Sequence, residues 1–243
     1  AIRSRGLGDV YKRQVYTLRE PHGVTGHIIP WNYPMQIIGR TLGASLAMGN
    51  ACVLKPSEEA CLTALAIGQL ANEAGFPEGS INIVPGLGEK AGSSLIKHPD
   101  INHISFTGSV EIGKKVQTEA AKNLIPVTLE LGGKSPQIVF EDANLEKALP
   151  FLINAGIQNA GQTCSASSRI LVSKKIYAEL IDKMSKLYCK LKVAQAIDDK
   201  DLGPVISSRQ REIITNYLKL SKELECISEG KFETNLPEKG YYV

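Results

Sequence analysis

The sequence predicts an α/β fold: a parallel sheet covered by helices on both faces, then a break, then the start of a second α/β unit. Short apolar, β-branched runs alternate with longer segments of helical period from Val15 onward. Gly, Pro or Asn bounds the runs, and the strand–helix–strand rhythm implies parallel pairing. The pattern loosens after Leu131, where Gly132-Gly133 allow the chain to turn sharply.

The expected strands are 15–18, 26–29, 51–54, 81–84, 101–106, 127–131, 136–140 and 170–172. The expected helices are 35–47, 60–74, 90–97, 110–122, 145–159, 175–192 and 208–224. In the second helix Leu62, Leu65, Ala66 and Leu70 fall at i, i+3, i+4 and i+8, which predicts one buried face. Gly75 and Pro77 end that helix. Residues 1–14 show no clean period and are set apart as a leader or artefact. Gly240-Tyr241-Tyr242-Val243 reads as a strand beginning.

Composition narrows the class. The net charge of +3 comes with no basic cluster, so nothing points to nucleic acid or an anionic membrane surface. No apolar run reaches the roughly 18 residues of a membrane span. Five cysteines, an odd number without metal spacing, argue against a disulfide framework or a zinc site. A reducing compartment, the cytoplasm, fits best.

Several short motifs can carry chemistry. Cys164 lies in Gly161-Gln162-Thr163-Cys164-Ser165, between a helix and a strand. A loop cysteine flanked by small polar residues is open to a substrate, although a buried structural thiol is the common alternative. Cys52 reads as core, Cys61 opens a helix, and Cys189 and Cys226 receive no role. Glu130 sits between two leucines at a strand end. Burial there would raise its pKa toward a general base; a rim carboxylate paired with Lys134 or Arg169 is the other reading. Phe106-Thr107-Gly108-Ser109 joins a strand to a helix start, which suits a phosphate. Gly86 and Gly88 miss the dinucleotide fingerprint by one residue. In Pro30-Trp31-Asn32-Tyr33-Pro34, the Asn32 amide can donate to a developing oxyanion, or the segment is an ordinary turn.

The order of these motifs resembles the aldehyde dehydrogenase superfamily. The resemblance rests on Ile28-Ile29-Pro30-Trp31-Asn32, Lys55-Pro56-Ser57-Glu58, Phe106-Thr107-Gly108-Ser109, Leu129-Glu130-Leu131-Gly132-Gly133-Lys134 and Gly161-Gln162-Thr163-Cys164. Glu130 and Cys164 lie 34 residues apart, as the family pattern expects. The resemblance spans Val15 to Val243.

It implies an NAD(P)-dependent oxidation of an aldehyde to a carboxylic acid. Cys164 corresponds to the nucleophile and Glu130 to the general base. Asn32, with the backbone N–H of Cys164, corresponds to the oxyanion hole. Lys55 and Glu58 correspond to the pair on the adenosine ribose, and Ser109, beside Gly108, to the pyrophosphate contact. Ile28, Pro30 and Trp31 correspond to the strand end lining the cofactor cleft. Glu58 favours NAD, because a carboxylate repels a 2′-phosphate, while the charge of Lys55 leaves NADP open.

The resemblance also implies a Rossmann-like cofactor domain over 15–132, with 15–21 in a subunit-contact hairpin, and part of a catalytic domain over 133–243. The family's chain begins before Val15 and continues past Val243, and its full-length members imply a homo-oligomer. One departure is Thr41, preceded by Arg40, where many relatives carry a Lys nine residues beyond the Asn. Two alternatives stay open: a CoA-acylating enzyme, or an inactive nucleotide-binding fragment. Glu130 speaks against the first, since hydrolysis is what needs a base.

Overall fold

The computed structural model describes residues 5–6 and 14–243. Most of the segment set apart as a leader, residues 1–14, therefore lies outside the described residues. Strand β1 (Arg5–Gly6) nevertheless pairs antiparallel with β2 (Gln14–Val15). The strand expected over 15–18 ends at Val15, and Tyr16 and Leu18 are exposed.

The chain forms two compact units that divide between Glu130 and Leu131. The first is built on β3 (Val24–Ile28), β4 (Ala51–Lys55), β5 (Ile81–Ile83), β6 (His103–Gly108) and β7 (Val127–Leu131, ending one residue past the division). Their order is β5-β4-β3-β6-β7. β3 pairs in parallel with both β4 and β6, and β4 with β5. The chain thus builds outward from β3 to β5, then returns to the other side of β3 with β6. That reversal creates a crevice beyond the carboxyl ends of β3 and β6, where open α/β sheets bind ligands.

Helices α1 (Pro34–Ala47) and α2 (Leu62–Glu73) pack on one another, as do α3 (Ser93–Lys97) and α4 (Val110–Lys122). Right-handed crossovers in opposite directions put the two pairs on opposite faces. Pro34 occupies the first turn of α1, where its missing N–H costs nothing. Ile37, Ile38 and Leu42 of α1 bury against Ile29, Cys52 and Leu54. Truncating Ile38 to Ala would remove about 2–5 kcal/mol.

Two expectations fail in this unit. Leu62, Leu65 and Leu70 face outward, Leu62 at 78% exposure, while Ala64, Ile67 and Ala71 of α2 meet the core. Small residues win because the helix sits tightly on β5: a Cβ on Gly68 would stand 3.0 Å from Ile83. Nor are both faces of the sheet covered by helices throughout. On the α1 side, His103 and Ser105 of β6 and Thr128 and Glu130 of β7 alternate as polar residues. With Thr25, His27, Arg40, Thr41 and Ser45 they line a cavity of about 480 Å³.

In the second unit β8 (Ser135–Val139) pairs in parallel with β9 (Ser167–Val172), with a register shift at Ser135/Pro136. Helices α5 (Leu145–Ile157) and α6 (Tyr177–Tyr188) bury Leu149, Leu152, Ile153, Leu180 and Met184 against Val139. The Asn144 side chain caps α5 by accepting from Lys147 N at 3.1 Å. Strands β10 (Lys192–Val193) and β11 (Lys231–Phe232) form a second short parallel pair, and α7 (Ser208–Leu220) lies between them in sequence. The strand expected at Gly240–Val243 is absent; Tyr241 O accepts one bond from Val205 N at 2.9 Å and no further rung of a ladder follows.

Candidate active site

Parallel pairing aligns the carboxyl ends of three strands. Ile28, the last residue of β3, is in register with Lys55 of β4 and with Phe106 of β6. Pro30, Trp31 and Asn32 follow directly, half-buried in the turn that leads into α1. This edge gathers all the residues expected around a cofactor.

Lys55 is 3% exposed, so its ammonium needs a partner. It has one: Nζ donates to Glu58 Oε2 at 2.9 Å. Glu58 opens a short 3₁₀ turn (Glu58–Ala60) capped by Ser57, whose Oγ accepts from Glu59 N. Partial burial pushes the Glu58 carboxyl up. Hydrogen bonds from its own backbone N–H and from Lys55, with the Lys55 charge, outweigh that and hold it below the usual carboxylate range. Glu58 is therefore ionised at neutral pH.

Gly108 ends β6 and Ser109 caps α4, its Oγ accepting from Ile112 N at 3.3 Å. A Cβ on Gly108 would lie 2.6 Å from the Phe106 ring, so no other residue fits without displacing it. The result is a bare backbone approach to a 13-residue helix's N-terminus, a suitable cradle for a phosphate.

Glu130 corrects the burial reading. It is exposed, not enclosed by leucines, and its ion-pair partner is Arg40, Nη1 to Oε1 3.7 Å. Lys134 and Arg169, the partners weighed from sequence, donate instead to the carbonyls of Gly133 and Lys134. Behind Glu130, the cavity wall holds a buried network. Thr25 Oγ1 lies 2.9 Å from His27 Nε2 and 2.8 Å from Ser45 Oγ. Burial first, then the neighbouring charge of His103, lowers the His27 pKa to about 4. Sequence reading missed this polar wall, although its period-two alternation was there to see.

Cys164 lies in the second unit, on the turn between the 3₁₀ segment Gln158–Gly161 and β9. All five cysteines are free; Cys52 is fully buried, while Cys164, Cys189 and Cys226 are exposed. Exposure alone does not single out Cys164, but its loop does. Asn159, Ala160 and Gly161 all have positive φ (53°, 53° and 74°). For Ala160 that left-handed conformation costs about 1–2 kcal/mol. Gln162 offsets it, donating from Nε2 to Asn159 O at 3.1 Å and accepting Ile206 N on Oε1 at 2.9 Å. Asn159 Nδ2 returns a bond to Gln162 O at 3.3 Å. The residues before Cys164 are thus held by side-chain amides, and Gly133, in the link between β7 and β8, passes near Cys164 O, its Cβ position 3.9 Å away.

Among the described residues, no group of three His, Cys, Asp or Glu could hold a metal, and no helix is long and apolar enough to cross a membrane.

Residues 4–243 match the aldehyde dehydrogenase family. The chain is 46% identical over 231 residues to DhaS of Bacillus subtilis, covering 94% of this chain and 46% of that protein. It is 43% identical over 230 residues to the chloroplastic betaine aldehyde dehydrogenase of Atriplex hortensis, covering 94% and 46%. The NAD+ complex of an aldehyde dehydrogenase from Bacillus cereus superposes with a TM-score of 0.91 at 39% identity, over 100% of this chain and 49% of that one. The chain spans about half the length of the curated relatives it matches.

Proposed function

This chain belongs to the aldehyde dehydrogenase family, and from that premise we propose that it carries the cofactor edge and the nucleophile of an enzyme oxidising aldehydes to carboxylic acids with NAD. The observation that carries the reading is the carboxyl edge of the sheet. There Ile28, Lys55 and Phe106 stand in register, and buried Lys55 is fixed on Glu58.

The residues present fit a dinucleotide. Lys55 and Glu58 would hold the adenosine ribose, and the α4 N-terminus with Gly108 and Ser109 the pyrophosphate. Ile28, Pro30 and Trp31 would line the cleft. Glu58 accepts from a 2′-hydroxyl and repels a 2′-phosphate, and it already neutralises Lys55. NAD is therefore preferred to NADP.

In the reaction we assign, the Cys164 thiolate bonds to the aldehyde carbon while the carbonyl electron pair moves to oxygen. The Asn32 side-chain amide and the backbone N–H of Cys164 donate to that oxyanion. Bound NAD supplies the acceptor for the hydrogen and electron pair that leave the carbon. A thioester on Cys164 remains. Glu130 takes a proton from water, the water oxygen bonds to the acyl carbon, and the C–S bond breaks to return the thiolate. Residues 15–132 would form the cofactor domain and 133–243 part of the catalytic domain. Free thiols suit the cytoplasm, and a homo-oligomer is the proposed assembly.

The test is aldehyde-dependent NADH formation by the protein, with and without CoA. Cys164→Ser should abolish turnover, whereas Cys189→Ala and Cys226→Ala should keep it. Normal turnover by Cys164→Ser would remove the nucleophile assignment, and a strict requirement for CoA would replace hydrolysis by acyl transfer.

A further inference from the structure

Arg40 sits on α1, eight residues beyond Asn32, with its guanidinium over the β6–β7 end of the sheet. Its Nη2 donates to Thr107 Oγ1 at 3.0 Å, and Thr107 is a buried residue of β6. Its Nη1 lies 3.7 Å from Glu130 Oε1 on the next strand. A guanidinium is planar, so anchoring one nitrogen on a buried hydroxyl sets where the other points. An ammonium, a point charge with rotatable donors, would not fix the second direction in this way.

We propose that Arg40, anchored by Thr107, is a positioning residue for Glu130. It confines the carboxylate to one region of the cavity rim without burying it. This rests on the reading of Glu130 as the base for thioester hydrolysis. Exposed ion pairs add little stability, so a structural purpose explains the arrangement poorly. A flexible three-torsion carboxylate that must meet a water in one orientation gains from being confined. The separation of 3.7 Å also leaves the carboxylate oxygens free of a short bond to Arg40, as a proton acceptor needs. Other charged or titratable groups line the same cavity. They are Arg19, Glu20 and His22 from the segment before β3, His27 on β3 and His103 on β6. Among the described residues, Arg40 is the cation within ion-pair distance of Glu130.

The hydrolysis step can be isolated without cofactor. An activated ester such as p-nitrophenyl acetate acylates an accessible thiolate: the S–C bond forms, the C–O bond breaks and nitrophenolate leaves in a burst. Steady release then reports hydrolysis of the acyl-cysteine. Arg40→Met and Thr107→Val should each keep the burst and slow the steady phase, roughly 10-fold to 100-fold for Arg40→Met and less for Thr107→Val. Arg40→Lys should recover only part of the loss. In a Glu130→Gln background, Arg40→Met should add nothing, because the two act as one unit. Parent-like steady release by Arg40→Met, or independent multiplication of the Arg40 and Glu130 effects, overturns the proposal while leaving Glu130 as base. Should Arg40→Met lose the burst through misfolding, Thr107→Val decides alone, and parent-like hydrolysis by it overturns the proposal. Unchanged hydrolysis by Glu130→Gln would instead remove the base assignment on which the proposal rests.

Discussion

Acid should destabilise the first unit through His27. This side chain is 3% exposed and bonded to Thr25 within a wall of neutral polar groups. Its pKa falls from the ordinary 6.5 to about 4 because burial disfavours the imidazolium and His103 adds a like charge. The folded pKa lies below the unfolded one, so between pH 6.5 and about 4 the unfolded chain binds a proton that the native chain refuses. Stability is complete above pH 6.5 and declines as pH falls toward 4. At 1.36 kcal/mol per pH unit the whole window is worth about 3 kcal/mol, of which about 2.5 kcal/mol is gone at pH 4.5. With a urea dependence of about 2 kcal/mol per molar, the unfolding midpoint should drop by about 1 M between pH 7 and 4.5. Trp31 fluorescence is the assay, because the chain's one Trp lies in this unit. Carboxylates also titrate in this range, so the informative quantity is the difference from His27→Gln, which cannot take up the proton. That variant should lose less stability than the parent on acidification, by about 2.5 kcal/mol. Equal losses in the two proteins would refute the reasoning, as would an imidazole of His27 that titrates near 6.5 by NMR.

Other outcomes follow from the cofactor edge. Glu58→Gln should narrow the preference for NAD over NADP, because it removes the charge that repels a 2′-phosphate and leaves Lys55 to attract one; the ratio of kcat/KM for the two cofactors checks it, and an unchanged ratio contradicts it. Gly108→Ala must displace the Phe106 ring, so it should cost about 1–3 kcal/mol of stability and weaken NAD binding about tenfold. Thermal unfolding and NAD titration read the two effects, and parent-like values in both would show that the ring moves aside freely.

Where local patterning and packing agreed, the elements were legible. Helix α4 and strand β7 fall at 110–122 and 127–131 as expected, since Ser109 marks the helix start and Leu124–Pro126 separates it from the β-branched run. α1 begins one residue early because Pro34 fits a first turn. α2 is the instructive failure. Leu62, Leu65 and Leu70 make the more hydrophobic stripe, yet Ala64 and Ala71 are buried, because a helix that must approach β5 closely selects small side chains. Periodicity finds a face and cannot weigh the distance that tertiary packing imposes. The two-residue strands β10 and β11 are too short for any period to register.

The candidate site divides in the same way. Cys164, Asn32 and Ser109 were nameable one by one, because each belongs to a short run with its own chemistry, whereas Lys55 and Glu58 were named only through the family resemblance. What holds the site was not nameable, because those contacts join distant positions. Arg40 meets Thr107 across 67 residues, and Gln162 meets Ile206 across 44. Glu130 shows the consequence. Its leucine neighbours in sequence suggested burial, but in a strand adjacent residues point to opposite faces. Leu129 and Leu131 therefore say nothing about where Glu130 looks. Its environment comes instead from Thr128 two residues back and from His103 and Ser105 on the neighbouring strand, all of which share its cavity. Read with the period of two, that stretch gives an exposed polar face on which the carboxylate is open to solvent, with a guanidinium from α1 to steer it.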